Sequence, residues 1–103
     1  MFCIDWNKSS VEIHNQIRAF SPKPGAFTKF NNSRIKLFES KLVGTNSFKP
    51  GEFEYMNDRI IVGTGNGDLI IESVQLEGKR RMPVADFYKG IINKIEGKVI
   101  RFG

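Results

Sequence analysis

Turn-forming residues cut the middle of this chain into short extended pieces, and that punctuation constrains the fold more than any other feature. Asn31-Asn32, Asn57-Asp58 and Gly65-Asn66-Gly67 interrupt the apolar runs, and the last of these tolerates the positive φ that a tight hairpin demands. Between them the pattern predicts strands over residues 26–30, 34–43, 52–56, 59–64 and 69–76, with a polar loop at 44–50. The strand at 34–43 contains a conflict of phase. Ile35 and Leu37 are odd whereas Phe38 and Leu42 are even, so a flat strand cannot bury all four on one face. A bulge or strong coiling near Leu37-Phe38 resolves it, as where a small barrel turns a corner.

Helical signals lie at the two ends. After a short extended segment, Ile4-Asp5-Trp6, Ser9 and Glu12 have the spacing of a capping box, in which each side chain can bond the other's free backbone N–H. Ile13, Ile17 and Phe20 then share one face, and the helix should stop at Ser21 because Pro22 and Pro24 follow. Pro83 suits the first position of a second helix whose apolar face is Val84, Phe87, Tyr88 and Ile91, with Gly90 ending it. A turn at Glu96-Gly97 precedes residues 99–102, a closing strand or docked tail. At 103 residues this describes one domain, residues 1–103, mainly β with flanking helices: a small OB-like Greek-key barrel.

The inventory of reactive groups is nearly empty. The single histidine, His14, sits beside an apolar helix face with no thiol or carboxylate paired to it by spacing, and is expected to be a boundary residue making an ordinary hydrogen bond. One Cys and one His offer no metal-ligand spacing, and lone Cys3 excludes an internal disulfide and fits a reducing compartment. Gly63-Thr64-Gly65-Asn66-Gly67 resembles a phosphate loop, but Asp68 stands where the dinucleotide fingerprint needs glycine and a strand follows instead of a helix, so a hairpin turn is expected. No apolar run is long enough to span a bilayer, and a cytoplasmic location is expected.

Charge points to a partner. The net charge is +5, and the densest cluster is Lys79-Arg80-Arg81, beside a turn and ahead of a helix N-terminus that itself favours anions. Three consecutive cations are hard to pair internally, so phosphate contact is their natural use, with Arg18, Lys23, Lys36, Lys41 and Lys89 as candidates to extend the surface. Phe20, Phe27, Phe30, Phe38, Phe53 and Phe87 fall at positions that look buried, which favours contact with a folded RNA backbone over stacking of bases.

Three segments together resemble the C-terminal domain of methionyl-tRNA formyltransferases. They are Ile4-Asp5-Trp6 with the run from Gln16-Ile17-Arg18-Ala19-Phe20-Ser21 to Pro22-Lys23-Pro24-Gly25-Ala26, then Arg34-Ile35-Lys36-Leu37-Phe38, and a third running from Gly63-Thr64-Gly65-Asn66-Gly67-Asp68 through Gln75-Leu76-Glu77-Gly78-Lys79-Arg80-Arg81-Met82-Pro83 to Asp86-Phe87 and Gly90. The first also resembles the corresponding domain of sugar and folate formyltransferases, whose role would be structural or dimer-forming without RNA; the segment around Lys79 tilts the choice to the tRNA enzymes. Lys23 departs from that family, which usually has a bulky apolar residue between the two prolines. The resemblance implies a non-catalytic OB-like domain that holds initiator Met-tRNA by largely nonspecific backbone contacts, and the charge pattern makes Lys79, Arg80, Arg81, Lys36, Arg18 and Lys23 the expected contacts. It also implies that formyl transfer, and the binding of 10-formyltetrahydrofolate, belong to a catalytic formyltransferase domain of the parent protein that is absent from this segment. No catalytic residue and no cofactor carry over.

Overall fold

The computed structural model describes residues 2–21, 23–91 and 100–103. Its elements are β1 (Phe2–Cys3), α1 (Ser10–Phe20), β2 (Ala26–Phe30), β3 (Ser33–Val43), β4 (Glu52–Met56), β5 (Arg59–Gly63), β6 (Asp68–Leu76), β7 (Met82–Pro83), α2 (Val84–Ile91) and β8 (Ile100–Arg101). One sheet runs in the order β1-β2-β3-β6-β5-β4-β8, with β7 paired to β6 off that path. The domain is mainly β with two helices, as the turn punctuation requires. Within the sheet, β3-β6-β5-β4 is the Greek-key order: β4, β5 and β6 are joined by tight hairpins, and β3 returns beside β6.

The turns form for the reason expected. Asn31, Asn32, Asn57 and Asp58 all take positive φ (48°, 66°, 53° and 63°), the left-handed conformation that short polar side chains tolerate. Each pair therefore closes a two-residue hairpin, and Phe30 faces Ser33 while Met56 faces Arg59.

The sheet is strongly curled. Four interstrand steps separate β2 from β4, about 19 Å in a flat sheet with strands roughly 4.8 Å apart. Yet the rings of Phe30 on β2 and Phe53 on β4 lie 6.0 Å apart, with Phe102 4.2 Å from Phe53 and Phe87 of α2 5.5 Å from Phe30. These rings fill the interior together with the fully buried Ile35, Leu37, Ile60, Leu69 and Ile71. Beyond β8, the Gly103 N–H donates to the Lys29 carbonyl of β2 at 2.9 Å.

The long strand β3 resolves its conflict of phase in an unexpected way. Pairing with β6 passes from Phe38↔Ser73 to Ser40↔Ile71 in constant register, so no extra residue is inserted. Instead Glu39 takes φ 53° and drops out of the pairing, a one-residue joint at which the strand coils. Leu37 stays in the core, and Phe38 turns to the outer face.

Helix α1 starts at its predicted cap, Ser9, whose hydroxyl accepts the Glu12 N–H at 3.2 Å. The return half of the capping box differs: the Ser9 hydroxyl donates to the Glu12 carboxylate, also at 3.2 Å. Ile13 and Ile17 are buried, Phe20 stacks on Phe2 at 5.0 Å, and Ser21 is the C-cap; Pro22 lies outside the described residues. Helix α2 starts one residue later than predicted, because Pro83 pairs with Ser73 in β7, and it continues through Gly90. The predicted turn at Glu96-Gly97 and Val99 lie outside the described residues, while Ile100 and Arg101 pair with Phe53 and Glu52.

The glycine-rich run is a hairpin loop, and it is also a seat for the segment leading into α1. The Gly65 N–H donates to the Lys8 carbonyl at 2.9 Å, and the Ser10 N–H to the Asn66 carbonyl at 3.0 Å. The backbones touch so closely that a Cβ on Gly65 would fall 1.8 Å from the Asn7 carbonyl oxygen. Asp68, just after this loop, is fully buried and organises the loop before β4: it accepts from Thr45 Oγ1 at 2.7 Å, Ser47 N–H at 2.8 Å and Phe48 N–H at 3.3 Å.

Candidate nucleic-acid interface

Hairpin geometry builds the basic surface. With a two-residue turn at Asn31-Asn32, Lys29 must face Arg34 and Phe27 must face Lys36, and all four alternate with the inward Thr28, Phe30, Ile35 and Leu37. The row continues onto β6, where Gln75 is the partner of Lys36. The Gln75 amide then donates to the Lys79 carbonyl at 2.9 Å, tying the turn after β6 to the same outer face. Lys29, Arg34, Lys36 and Lys79 thus form one basic band across β2, β3, β6 and that turn. Lys29 and Arg34 were not among the residues singled out from sequence, although the turn length and strand parity contain the register that places them there.

The predicted contacts divide into two groups. Lys36 and Lys79 belong to the band; Lys23 is exposed in the α1–β2 turn near Gly25, where a Cβ would lie 3.0 Å from Lys36 Cδ. Arg80 is exposed beside Lys79. Arg81 and Arg18 gather instead around Glu39. Arg18 shares a shallow hollow of about 460 Å³ with His14, Glu39 and Ser40, and Arg81 shares the neighbouring one with Glu39 and Ser73.

Arg81 is the most constrained member of the triplet. Its guanidinium donates to the Glu39 carboxylate and, through Nε, to Ser73 Oγ at 3.1 Å, and it lies 4.4 Å from the centre of the Phe38 ring. It is therefore the lid over a ring that faces outward by the ordinary alternation that keeps Leu37 in the core. Arg34 covers Phe27 in the same way, at 5.0 Å. Phe27 and Phe38 are buried as expected, but under arginines on the outer face, away from the core.

The other cations lie apart. Lys41 pairs with Glu72 at 3.2 Å, and Lys89 is on α2, whose first turn already carries a carboxylate, Asp86. The exposed large hydrophobic residues among those described are Val11, Leu42 and Met56, with no aromatic ring among them. Tyr55 and Tyr88 are half-buried and stacked on each other at 3.9 Å. Such a surface offers charge to phosphates and no open ring to a base.

His14 makes the hydrogen bond expected of it, with Nδ1 2.7 Å from Ser40 Oγ. Burial, and then the nearby Arg18 charge, hold its pKa below the ordinary value of 6.5. Among the described residues no three His, Cys, Asp or Glu side chains are grouped to hold a metal, and no helix is long and apolar enough to cross a membrane.

Fold and surface together define a small β-domain with a basic band on the outer face of β2, β3 and β6. Residues 1–91 match the model of the formyl transferase C-terminal domain, and the chain belongs to that family. Its curated relatives include methionyl-tRNA formyltransferases of Geobacter sulfurreducens (38% identical, covering 84% of this chain and 27% of the relative) and Streptococcus thermophilus (41% identical, covering 90% and 30%). The chain thus spans under a third of the length of these relatives. Among solved structures, HypX from Aquifex aeolicus in complex with tetrahydrofolic acid has the same fold (TM-score 0.76, 19% identity, covering 92% of this chain and 17% of that one).

Proposed function

We propose that this domain holds initiator Met-tRNA by its phosphate backbone while a catalytic formyltransferase domain of the parent protein transfers the formyl group. The observation that carries the reading is the continuous basic band of Lys29, Arg34, Lys36 and Lys79 in a chain whose curated relatives are methionyl-tRNA formyltransferases. Clustered cations on a curled β-surface without open aromatic rings favour sequence-independent contact through counterion release. The formyl donor and the chemistry reside in the catalytic domain, and initiator-tRNA discrimination does not require base readout from this face.

Affinity for a tRNA transcript, measured against salt by fluorescence anisotropy, tests the reading. Binding should weaken with a log–log slope of about −0.7 to −0.9 per phosphate neutralised, and Lys79→Ala/Arg80→Ala/Arg81→Ala should bind more weakly with a shallower slope. Affinity indifferent to salt or to the triple substitution refutes the proposal. So does a stable dimer on gel filtration that binds no RNA, which is the behaviour of a structural domain.

A further inference from the structure

One concave site lies within the basic band. Arg34, Lys36, Gln75, Leu76, Glu77 and Gly78 line a cavity of about 210 Å³ between β3 and the turn that follows β6. Its donors are held in place. Arg34 lies against the Phe27 ring, the Lys36 stem lies against Gly25, and Gln75 uses one amide hydrogen on the Lys79 carbonyl and has a second to offer. The ion pairs among the described residues engage Lys8, Lys41 and Arg81, and Arg34 and Lys36 take part in none of them, although the carboxylate-bearing Glu77 lines the same cavity. The turn leaves the approach open: Gly78 has φ 79°, and a Cβ there would meet nothing within 4 Å.

A cavity with two unpaired cations and an amide donor, plus one acceptor that neutralises neither cation, fits a ligand with both an anion and a hydroxyl. We infer that it receives one ribose-phosphate unit of RNA, the phosphate on Arg34, Lys36 and Gln75 and the 2′-hydroxyl donating to the Glu77 carboxylate. This rests on the RNA reading above and adds to it a single subsite and a reason for preferring RNA to DNA. A carboxylate beside a phosphate site is unfavourable on charge alone, and a ribose hydroxyl is the group that offsets it.

The test compares wild type, Arg34→Gln/Lys36→Gln, Lys79→Ala/Arg80→Ala and Glu77→Ala, each first shown by urea unfolding to be folded. Glutamine keeps the part of the Lys36 stem that lies against Gly25 and removes both charges, and the unfolding measurement shows whether Phe27 tolerates the loss of the Arg34 guanidinium above it. With a tRNA transcript, the Arg34→Gln/Lys36→Gln variant should bind roughly tenfold more weakly, and its salt slope should fall by about 0.7 to 0.9, the value for one phosphate, although two charges are gone. With a stem-loop RNA and the DNA of the same sequence, Glu77→Ala should lower the RNA-to-DNA affinity ratio, because no acceptor for the 2′-hydroxyl remains.

An unchanged slope in Arg34→Gln/Lys36→Gln alongside weakened binding by Lys79→Ala/Arg80→Ala overturns the subsite and leaves the broader function standing. Equal gains for RNA and DNA in Glu77→Ala, which removes the acceptor as well as the charge, overturn the hydroxyl contact, because they show the carboxylate acting only as a repelling charge. A wild-type domain that binds no RNA overturns both.

Discussion

Removing the buried carboxylate of Asp68 should be the most damaging polar substitution in the domain. Its two oxygens accept a hydroxyl and two backbone N–H groups from residues 45–48, so three donors lose their partner at once. Hydrogen bonds to a charged group contribute about 1.5–3 kcal/mol each, but three on one side chain do not add, and the loop can open partly to water. A loss of about 3–4 kcal/mol is therefore expected for Asp68→Ala. Unfolding entropy near 2.1 cal/mol/K per residue over 103 residues makes 1 kcal/mol worth about 5 °C, so Tm should fall by about 14–18 °C. Asp68→Asn provides the control. Its one remaining oxygen can serve Thr45 and Ser47, and the amide then opposes only the long Phe48 bond, so the loss should be about 1 kcal/mol. Differential scanning calorimetry of the three proteins decides the matter. A fall below about 5 °C for Asp68→Ala, or equal values for the two variants, refutes the account of this loop.

Two further outcomes are expected. Because the folded pKa of His14 is held below its ordinary value of 6.5, the unfolded chain binds the extra proton first; stability is full above about pH 6.5 and declines as pH falls through the window below it. Urea unfolding of wild type and His14→Gln from about pH 8 to pH 5 should show this decline only in wild type, and a flat difference between them contradicts it. Gly65→Ala places a Cβ on the Asn7 carbonyl and should lose about 3 kcal/mol, whereas Gly78→Ala meets open space and should lose only the roughly 1–2 kcal/mol of a left-handed backbone. Equal losses in thermal unfolding would show that close backbone approach at Gly65 is not what matters.

What could be read in advance followed from how local the physics is. The Asn31-Asn32 and Asn57-Asp58 hairpins depend on the conformational tolerance of the turn residues themselves, and the Ser9 cap on a hydroxyl three residues from the N–H it accepts. The conflict at Leu37-Phe38 was visible, but its solution was not: glutamate has no special tolerance for positive φ, and Glu39 holds it where Arg81, distant in sequence, supplies both a charge partner and a lid for Phe38. The same remoteness explains the start of α2, since Pro83 is drawn into pairing with Ser73. For the candidate interface, charge density drew attention to Lys79-Arg80-Arg81, whereas the surface is organised by cross-strand neighbours. Arg34 and Lys29 become visible only when the hairpin register is written out.

The seat that Gly65 and Asn66 provide for the segment before α1 also has a consequence in time. Lys8 and Gly65 are joined by a hydrogen bond, yet 57 positions separate them along the chain. At synthesis rates of about 5–20 residues per second, the residues that cap α1 leave the ribosome roughly 3–11 s before the loop that anchors them exists. A helix of this length is marginal alone in water, and for the first part of that interval it has only its Ser9 cap and its i→i−4 bonds; β2 and β3, made before the loop, then give Ile13 and Ile17 a surface to bury against while the start of the helix still lacks its anchor. The N-terminal end of the earliest-made helix is thus fixed after its apolar face has a sheet to rest on, and that order is imposed by the two backbone contacts to Gly65 and Asn66.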